Sequence, residues 1–313
     1  MRAATIRDGE VLVEEHPDPE PGAGQVLVRV RAAGLNGADM MQLKGRYPAP
    51  PGSPPDIPGL ELAGTVAALG AGASRFCEGE RVMAIVGGGG QAELAVVHER
   101  QLMPVPEEVG FPDAGGLPEV FTTAHDAIFT QGGLRPGERL LVHGAAGGVG
   151  TAAIQLARAA GADVTATVRN TDNHDAVAEL GAHTVIEPDG FEEHGPFDVV
   201  LELVGAPNLP ANLKALATNG RIVVIGVGAG VKAELNLLAL MGKRARIMGS
   251  TLRARPLEEK AATARALERE VLALFARGDL RVPVAATFEL QDVAAAYECF
   301  AGGGKLGKVL LEL

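Results

Sequence analysis

The sequence predicts an α/β protein, with a doubly wound parallel sheet of six strands and a separate β-rich domain. Three observations predict it. An apolar run from Arg139 to Val142 passes through His143-Gly144-Ala145-Ala146-Gly147-Gly148-Val149-Gly150 into the helical pattern Thr151–Arg158. Strand and helix signals then alternate as far as residue 252, as in parallel βα units. Ahead of residue 116 the runs are short, β-type and separated by turn residues, which suits a small barrel-like domain. The expected division is 1–116 for the first part of the β-rich domain, 117–252 for the doubly wound domain, and 253–313 for the second part of the β-rich domain.

In the first domain, strands are expected at Val26–Val30, Glu61–Leu69, Arg81–Val86 and Gln91–Val96. The Pro-rich loop from Tyr47 to Pro58 is too rigid and too poor in N–H donors for a central strand. Loops of that length tend to carry function or disorder.

In the second domain, the glycine-rich turn reads Ala145-x-Gly147-x-x-Gly150. Here Gly147 lets the backbone approach a phosphate and Gly150 lets the helix pack on the strand. The free N–H groups and positive dipole end of the helix suit a pyrophosphate, so Ala146, Gly147, Gly148, Val149 and Gly150 are candidate cofactor-binding residues. Gly161 introduces a second strand, Asp163–Val168, and Arg169 follows it. An NAD site normally places a carboxylate there, on the ribose 2′-hydroxyl. A guanidinium instead suits a 2′-phosphate, which points to NADPH; the other reading is that Arg169 is a solvated loop residue.

Further strands are expected at His183–Ile186, Phe197–Leu203, Arg221–Ile225 and Ala245–Gly249, which completes six. Gly205, Gly226, Val227 and Ser250 then lie beyond strand C-termini, where a dinucleotide binds. A plain turn explains each glycine equally well alone, but their joint placement favours a ligand. Residues 258–277 read as an amphipathic helix ended by Gly278, and Val284–Leu313 as strand, helix and strand completing the first domain.

Composition bounds the function. The chain has 313 residues, 47% hydrophobic and 21% charged, as in an ordinary soluble α/β protein. A net charge of −11 argues against a general nucleic-acid or anionic-membrane surface. Cys77 and Cys299 lack metal or redox spacing and read as reduced thiols. Met1–Ile6 lacks a signal-peptide core and no apolar run is long enough to span a membrane, so a cytoplasmic protein is expected.

Several segments together resemble the medium-chain dehydrogenase/reductase superfamily, and within it the zinc-independent quinone oxidoreductase branch. They are Ala33-Gly34-Leu35-Asn36-Gly37-Ala38-Asp39, Gly45-Arg46-Tyr47-Pro48-Ala49-Pro50-Pro51-Gly52, Pro58-Gly59-Leu60-Glu61-Leu62-Ala63-Gly64, the glycine-rich turn, Leu117-Pro118-Glu119-Val120-Phe121-Thr122-Thr123-Ala124 and Gly304-Lys305-Leu306-Gly307-Lys308-Val309. The resemblance covers essentially the whole chain. It implies a Rossmann sheet with a GroES-like catalytic domain, NADPH as cofactor, and a homodimer paired through the edge strand near Ala245–Gly249. Zinc relatives would have cysteine at Asn36, histidine at Leu60 and a third ligand, commonly cysteine, near Glu119; leucine cannot ligate and neutral asparagine is a poor substitute for thiolate. The four-cysteine structural lobe is replaced by Gly87-Gly88-Gly89-Gly90, and no metal is expected.

The chemistry then implied is hydride transfer to a quinone, which needs little electrophilic help, or to an activated enone as the alternative. By resemblance Asn36, Tyr47 and Thr123 surround the reacting centre. Asn36 would donate its amide to the acceptor oxygen, Tyr47 would cover the acceptor ring or supply a proton, and Thr123 would contact the nicotinamide. Plain alternatives are that Asn36 satisfies loop backbone groups and Tyr47 packs in its loop. Relatives grip the 2′-phosphate with a lysine and a tyrosine where this chain has Asn173 and Pro188. Arg169, Asn170 and His174 would replace that grip, with Lys305 and Ser250-Thr251-Leu252-Arg253 adding contacts, and NADH use stays open. His143 is expected to close the first sheet strand and His125 to open a helix, both structurally, without a visible carboxylate partner. Asp39 and Glu61 are expected to orient loops through hydrogen bonds. The rival from another class is a non-catalytic NADPH-binding protein.

Overall fold

The chain opens with a hairpin that none of the expected runs included, β1 (Arg2–Arg7) and β2 (Glu10–Glu15), joined at Asp8-Gly9. Both turn residues take positive φ, 50° and 84°, as a two-residue hairpin turn with right-handed strand twist requires. Strand β3 (Gln25–Gly34) follows, then helix α1 (Gly37–Leu43) and strands β4 (Glu61–Leu69) and β5 (Arg81–Ile85). The strand expected from Gln91 begins three residues later, as β6 (Leu94–His98), because Gln91 and Ala92 cross to β1: the Ala4 N–H donates to the Gln91 carbonyl at 2.9 Å. A short β7 (Met103–Pro104) and helices α2 (Phe111–Gly115) and α3 (Pro118–His125) complete this segment. His125 closes α3 where it was expected to open a helix, and a π-helical stretch, Asp126–Gln131, follows it directly in the chain.

The computed structural model describes residues 1–313 and divides into two units. One is Met1–Thr122 with Leu252–Gly303 and Lys308–Leu313; the other is Thr123–Thr251 with Gly304–Gly307. The second unit contains β8 (Arg139–Val142), α4 (Gly148–Ala159), β9 (Asp163–Thr167), α5 (His174–Glu179), β10 (Thr184–Ile186), β11 (Phe197–Glu202), α6 (Leu209–Ala215), β12 (Leu216–Val224), α7 (Leu237–Lys243) and β13 (Arg246–Gly249). All six strands are parallel in the order β10-β9-β8-β11-β12-β13, the doubly wound arrangement with its switch point between β8 and β11. Leu140, Leu141 and Val142, like Val199, Val200 and Leu201, are fully buried, which is why these strands read as continuous apolar runs. Helix α4 starts three residues before the expected Thr151, so Gly148, Val149 and Gly150 form its first turn.

The remaining chain returns to the first unit. The single helix expected over 258–277 is two, α8 (Leu257–Glu270) and α9 (Leu272–Ala276), because Val271 leaves the helical region at φ −121°. Strand β14 (Val284–Glu289), helix α10 (Val293–Gly302) and strand β15 (Lys308–Glu312) follow. The sheet runs β14-β15-β3-β4-β5-β7 with β6 also on β3. Val26, Val28, Val30, Leu62, Val82 and Leu102 form its core, the inward half of alternating strands. Pairing of Leu310 with Gly34 sets the start of β15 beside the residues that lead into α1.

Candidate functional site

In the second unit the site grows from the end of β8. Gly144 turns the chain at φ 62°, a conformation costly for other residues, and Gly147 caps α4 with no side chain to satisfy the helix N–H groups. A Cβ on Gly150 would lie 2.6 Å from the Cα of Ala145, so only glycine lets the helix start this close to the turn. The first turn of α4 carries no acidic residue. Uncapped N–H groups, the positive dipole end and absent negative charge suit a pyrophosphate. The Ala146 carbonyl is held by the Gly307 N–H at 2.8 Å, which ties residues 304–307 to this turn.

Beyond β9, Arg169 is exposed and forms no ion pair. Asn170 and Asn173 both donate side-chain N–H to the Gly304 carbonyl, at 3.2 and 3.0 Å, which places Lys305 at the same loop. His174 donates to the Val168 carbonyl at 3.1 Å, so that ring nitrogen serves the turn. Gly205 and Val227 meet beyond β11 and β12: a Cβ on Gly205 would sit 2.9 Å from the Cα of Val227, and one on Gly226 would sit 2.1 Å from the Leu203 carbonyl oxygen. Ser250 donates to Asp126 at 3.1 Å.

Sequence reasoning missed Glu202, which organises this end of the sheet. One oxygen accepts the N–H groups of Val204 and Gly205, at 2.7 and 2.8 Å, and the other accepts Asn212 at 2.7 Å. His143 is fully buried with Nε2 2.7 Å from Asn212 and 3.9 Å from Glu202, and Nδ1 3.0 Å from Thr167. A carboxylate neighbour is therefore present where none was visible in the sequence. Burial pushes the imidazole below its usual pKa despite that neighbour.

In the first unit Asn36 begins α1, and its backbone N–H donates to Asp39 at 2.8 Å. The other Asp39 oxygen accepts the Gly59 N–H at 3.1 Å. Desolvation pushes the Asp39 carboxyl up to about 6, against those hydrogen bonds. Both hydrogens of the Asn36 amide are engaged, to the Gly34 carbonyl at 3.2 Å and Glu61 at 3.0 Å. Donation to an acceptor, the role expected for Asn36, is not open to it in this arrangement. Its carbonyl oxygen accepts from Lys308 at 2.8 Å, and Lys308 also donates to Glu61 at 2.6 Å and to the Leu35 carbonyl at 2.7 Å. The other Glu61 oxygen accepts the Glu119 N–H at 2.8 Å, at the start of α3. A Cβ on Gly34 would lie 2.2 Å from Glu61, so Gly34 makes room for the pair.

Arg253, expected near the cofactor, is spent on the Tyr47 loop. Its guanidinium donates to the carbonyls of Gly87 and Tyr47, at 2.8 and 2.9 Å, and to Gln42, and lies 5.0 Å from the Tyr47 ring centroid. Tyr47 is half-buried and its hydroxyl has no hydrogen-bond partner. Thr123 is buried on α3. Leu252 belongs to the first unit, where it lines a small cavity with Ile85 and Thr122. The sequence signal for Lys308 and Glu61 was available: each is a charge set directly ahead of an apolar run, Val309-Leu310-Leu311 in one case and Leu62-Ala63 in the other.

Residues 22–107 match the alcohol dehydrogenase GroES-like domain, and residues 148–269 match the zinc-binding dehydrogenase family. Over 309 residues the chain is 32% identical to the quinone oxidoreductase of Mus musculus, covering 94% of this chain and 91% of that protein. The chain belongs to the quinone oxidoreductase branch of the medium-chain dehydrogenase/reductase superfamily. An alcohol dehydrogenase superfamily protein from Novosphingobium aromaticivorans superposes on this oxidoreductase with a TM-score of 0.89 at 31% identity, over 100% of this chain and 99% of that one. A NAD-dependent alcohol dehydrogenase superposes with a TM-score of 0.87 at 28% identity, over 100% of both chains. The oxidoreductase thus has the GroES-like and Rossmann-type domains of its family, which implies a nicotinamide cofactor. The glycine geometry around α4 fits such a dinucleotide.

Proposed function

We propose that this oxidoreductase transfers hydride from NADPH to a quinone without a metal. One observation carries the reading: the Lys308 ammonium sits 2.8 Å from Asn36 and 2.6 Å from Glu61, beside positions where zinc relatives keep ligands. A fixed cation there repels Zn²⁺, and Asn36, Leu60 and Glu119 make a poor ligand set. The favoured acceptor is one whose conjugated carbonyls take hydride without a Lewis acid. Bound nicotinamide supplies the hydride at C4, and the quinone gains that hydride and one proton to become a hydroquinone.

The chain's own residues hold and align. Ala146–Gly150 take the pyrophosphate, Gly205, Gly226, Val227 and Ser250 shape the cleft beyond the strands, and Arg169 with Asn170 and Lys305 receives the 2′-phosphate. His174 acts through the turn it braces. Thr123 contacts the nicotinamide, and Leu252 supplies apolar surface. Asn36 positions Lys308. The unpartnered Tyr47 hydroxyl, its loop braced by Arg253, is the donor to the acceptor oxygen. That same hydroxyl favours a second reading, reduction of an enone with Tyr47 supplying the proton. Steady-state rates with NADPH, NADH, a simple quinone and an enone, on protein assayed for zinc, test this. Turnover of enones alone selects the second reading, and turnover that requires stoichiometric zinc refutes both. Tight NADPH binding with no turnover of any acceptor would mark a nucleotide-binding protein.

No helix is long and apolar enough to cross a membrane, and a cytoplasmic location is proposed with reduced Cys77 and Cys299. A homodimer is proposed through edge strand β13. Leu237, Leu238 and Met241 of the adjacent α7 are 63%, 78% and 70% exposed, an apolar face for a second copy to cover.

A further inference from the structure

The first unit holds a small cavity beside β5, β7 and the first half of α8, bounded by apolar Ile85, Leu252 and Ala264 and by polar Gln101, Thr122, Lys260 and Thr263. Two of those polar groups are already spent: the Gln101 amide donates to the Ile85 carbonyl at 3.2 Å, and the Thr263 hydroxyl to the Lys260 carbonyl at 2.8 Å. The other two are not. Thr122 is 2% exposed, and its hydroxyl oxygen has no hydrogen-bond partner. Lys260 is half-buried and forms no ion pair.

The carboxylates near Lys260 are all taken. Glu258 pairs with Arg100, Glu259 lies 4.0 Å from Arg255, and Glu268 pairs with Arg75 and Arg265. The charge that Lys260 does feel is Arg253, a second cation, whose nitrogens are committed to Gly87, Tyr47 and Gln42. Burial and that repulsion together lower the lysine pKa. Two donors and an excess of positive charge thus border one space, and neither donor has a partner in the protein.

We propose that this cavity binds a small monovalent anion of chloride size, held by Lys260 Nζ and Thr122 Oγ1. Size selects within the class: the space admits about one water-sized body, so a chloride enters only if the flexible Lys260 and Leu252 side chains give slightly, and a carboxylate or phosphate group is too large. The ammonium gives a charge-assisted hydrogen bond, the hydroxyl gives a second, and the apolar wall keeps the local dielectric low.

The test uses the full-length protein and the width of the chloride NMR line. Wild-type protein broadens that line, Lys260→Gln removes most of the excess width, and Thr122→Val reduces it. In bromide-soaked crystals an anomalous peak touches Lys260 Nζ. Equal broadening by wild type and a folded Lys260→Gln means that water fills the space, and overturns the proposal. If Lys260→Gln does not fold, an unchanged width in Thr122→Val, or no anomalous peak in the wild type, overturns it.

Discussion

Lys308 shows how a buried charge is held. Its side chain is 3% exposed, and its three N–H groups meet three acceptors: Leu35, Asn36 and Glu61. Lys308→Met leaves the Glu61 carboxylate buried without its cation, and we expect a loss of about 3–5 kcal/mol of stability, read from urea unfolding. The double variant with Glu61→Gln recovers part of that loss. If both variants melt like the wild type, the pair does not bear on stability. Asp39 works in the opposite sense. Its folded pKa of about 6 lies above the unfolded 3.8, so the fold favours the neutral acid. Its contribution is fully present below the unfolded value and is lost as pH rises through about 6, a change of about 3 kcal/mol. The stability difference between wild type and Asp39→Asn should therefore fall between acidic and neutral pH; a difference independent of pH would refute the assignment. Arg169→Asp should raise KM for NADPH by about tenfold or more and leave NADH nearly unchanged, through a lost charge-assisted pair and added repulsion. Equal effects on both cofactors would remove Arg169 from the phosphate site.

At the level of elements, what was legible followed from local pattern. Strand β4 is found at the expected residues because its buried and exposed positions, and the turns that bound it, are local. The β1–β2 hairpin is equally local, its turn signal being Asp8-Gly9. Asn36 and Glu202 differ in kind. Besides local partners, each takes a partner from another element, Lys308 of β15 for one and Asn212 of α6 for the other, and no local period reveals such pairing. Glu202 predicts a testable link between sheet and loop. Glu202→Leu removes the acceptor for Val204 and Gly205, leaving the buried Gly205 N–H and the half-buried Val204 N–H unpaired at about 1–3 kcal/mol, and should weaken dinucleotide binding more than it slows turnover at saturation. Calorimetric titration of NADPH checks this, and an unchanged affinity would limit Glu202 to packing.

For the whole molecule, the apolar face of α7, the helix that leads into edge strand β13, bears on assembly. Met241→Glu should shift the sedimentation mass toward one chain at micromolar protein, if a second copy covers that face; a wild-type mass equal to one chain at all concentrations would refute the dimer. The first unit is also assembled from segments far apart in sequence, on either side of the second. Strand β3 pairs with β15 through Ala32, Ala33 and Gly34, Gly34 meeting Leu310, so one edge at the C-terminal end of an early-made strand waits for nearly all the chain to emerge. Such distant pairing slows closure of the β-rich core and leaves unpaired N–H and C=O groups open to neighbours on other nascent chains. Yield from a cell should therefore depend on temperature and holdase supply more steeply than the finished protein's melting point suggests.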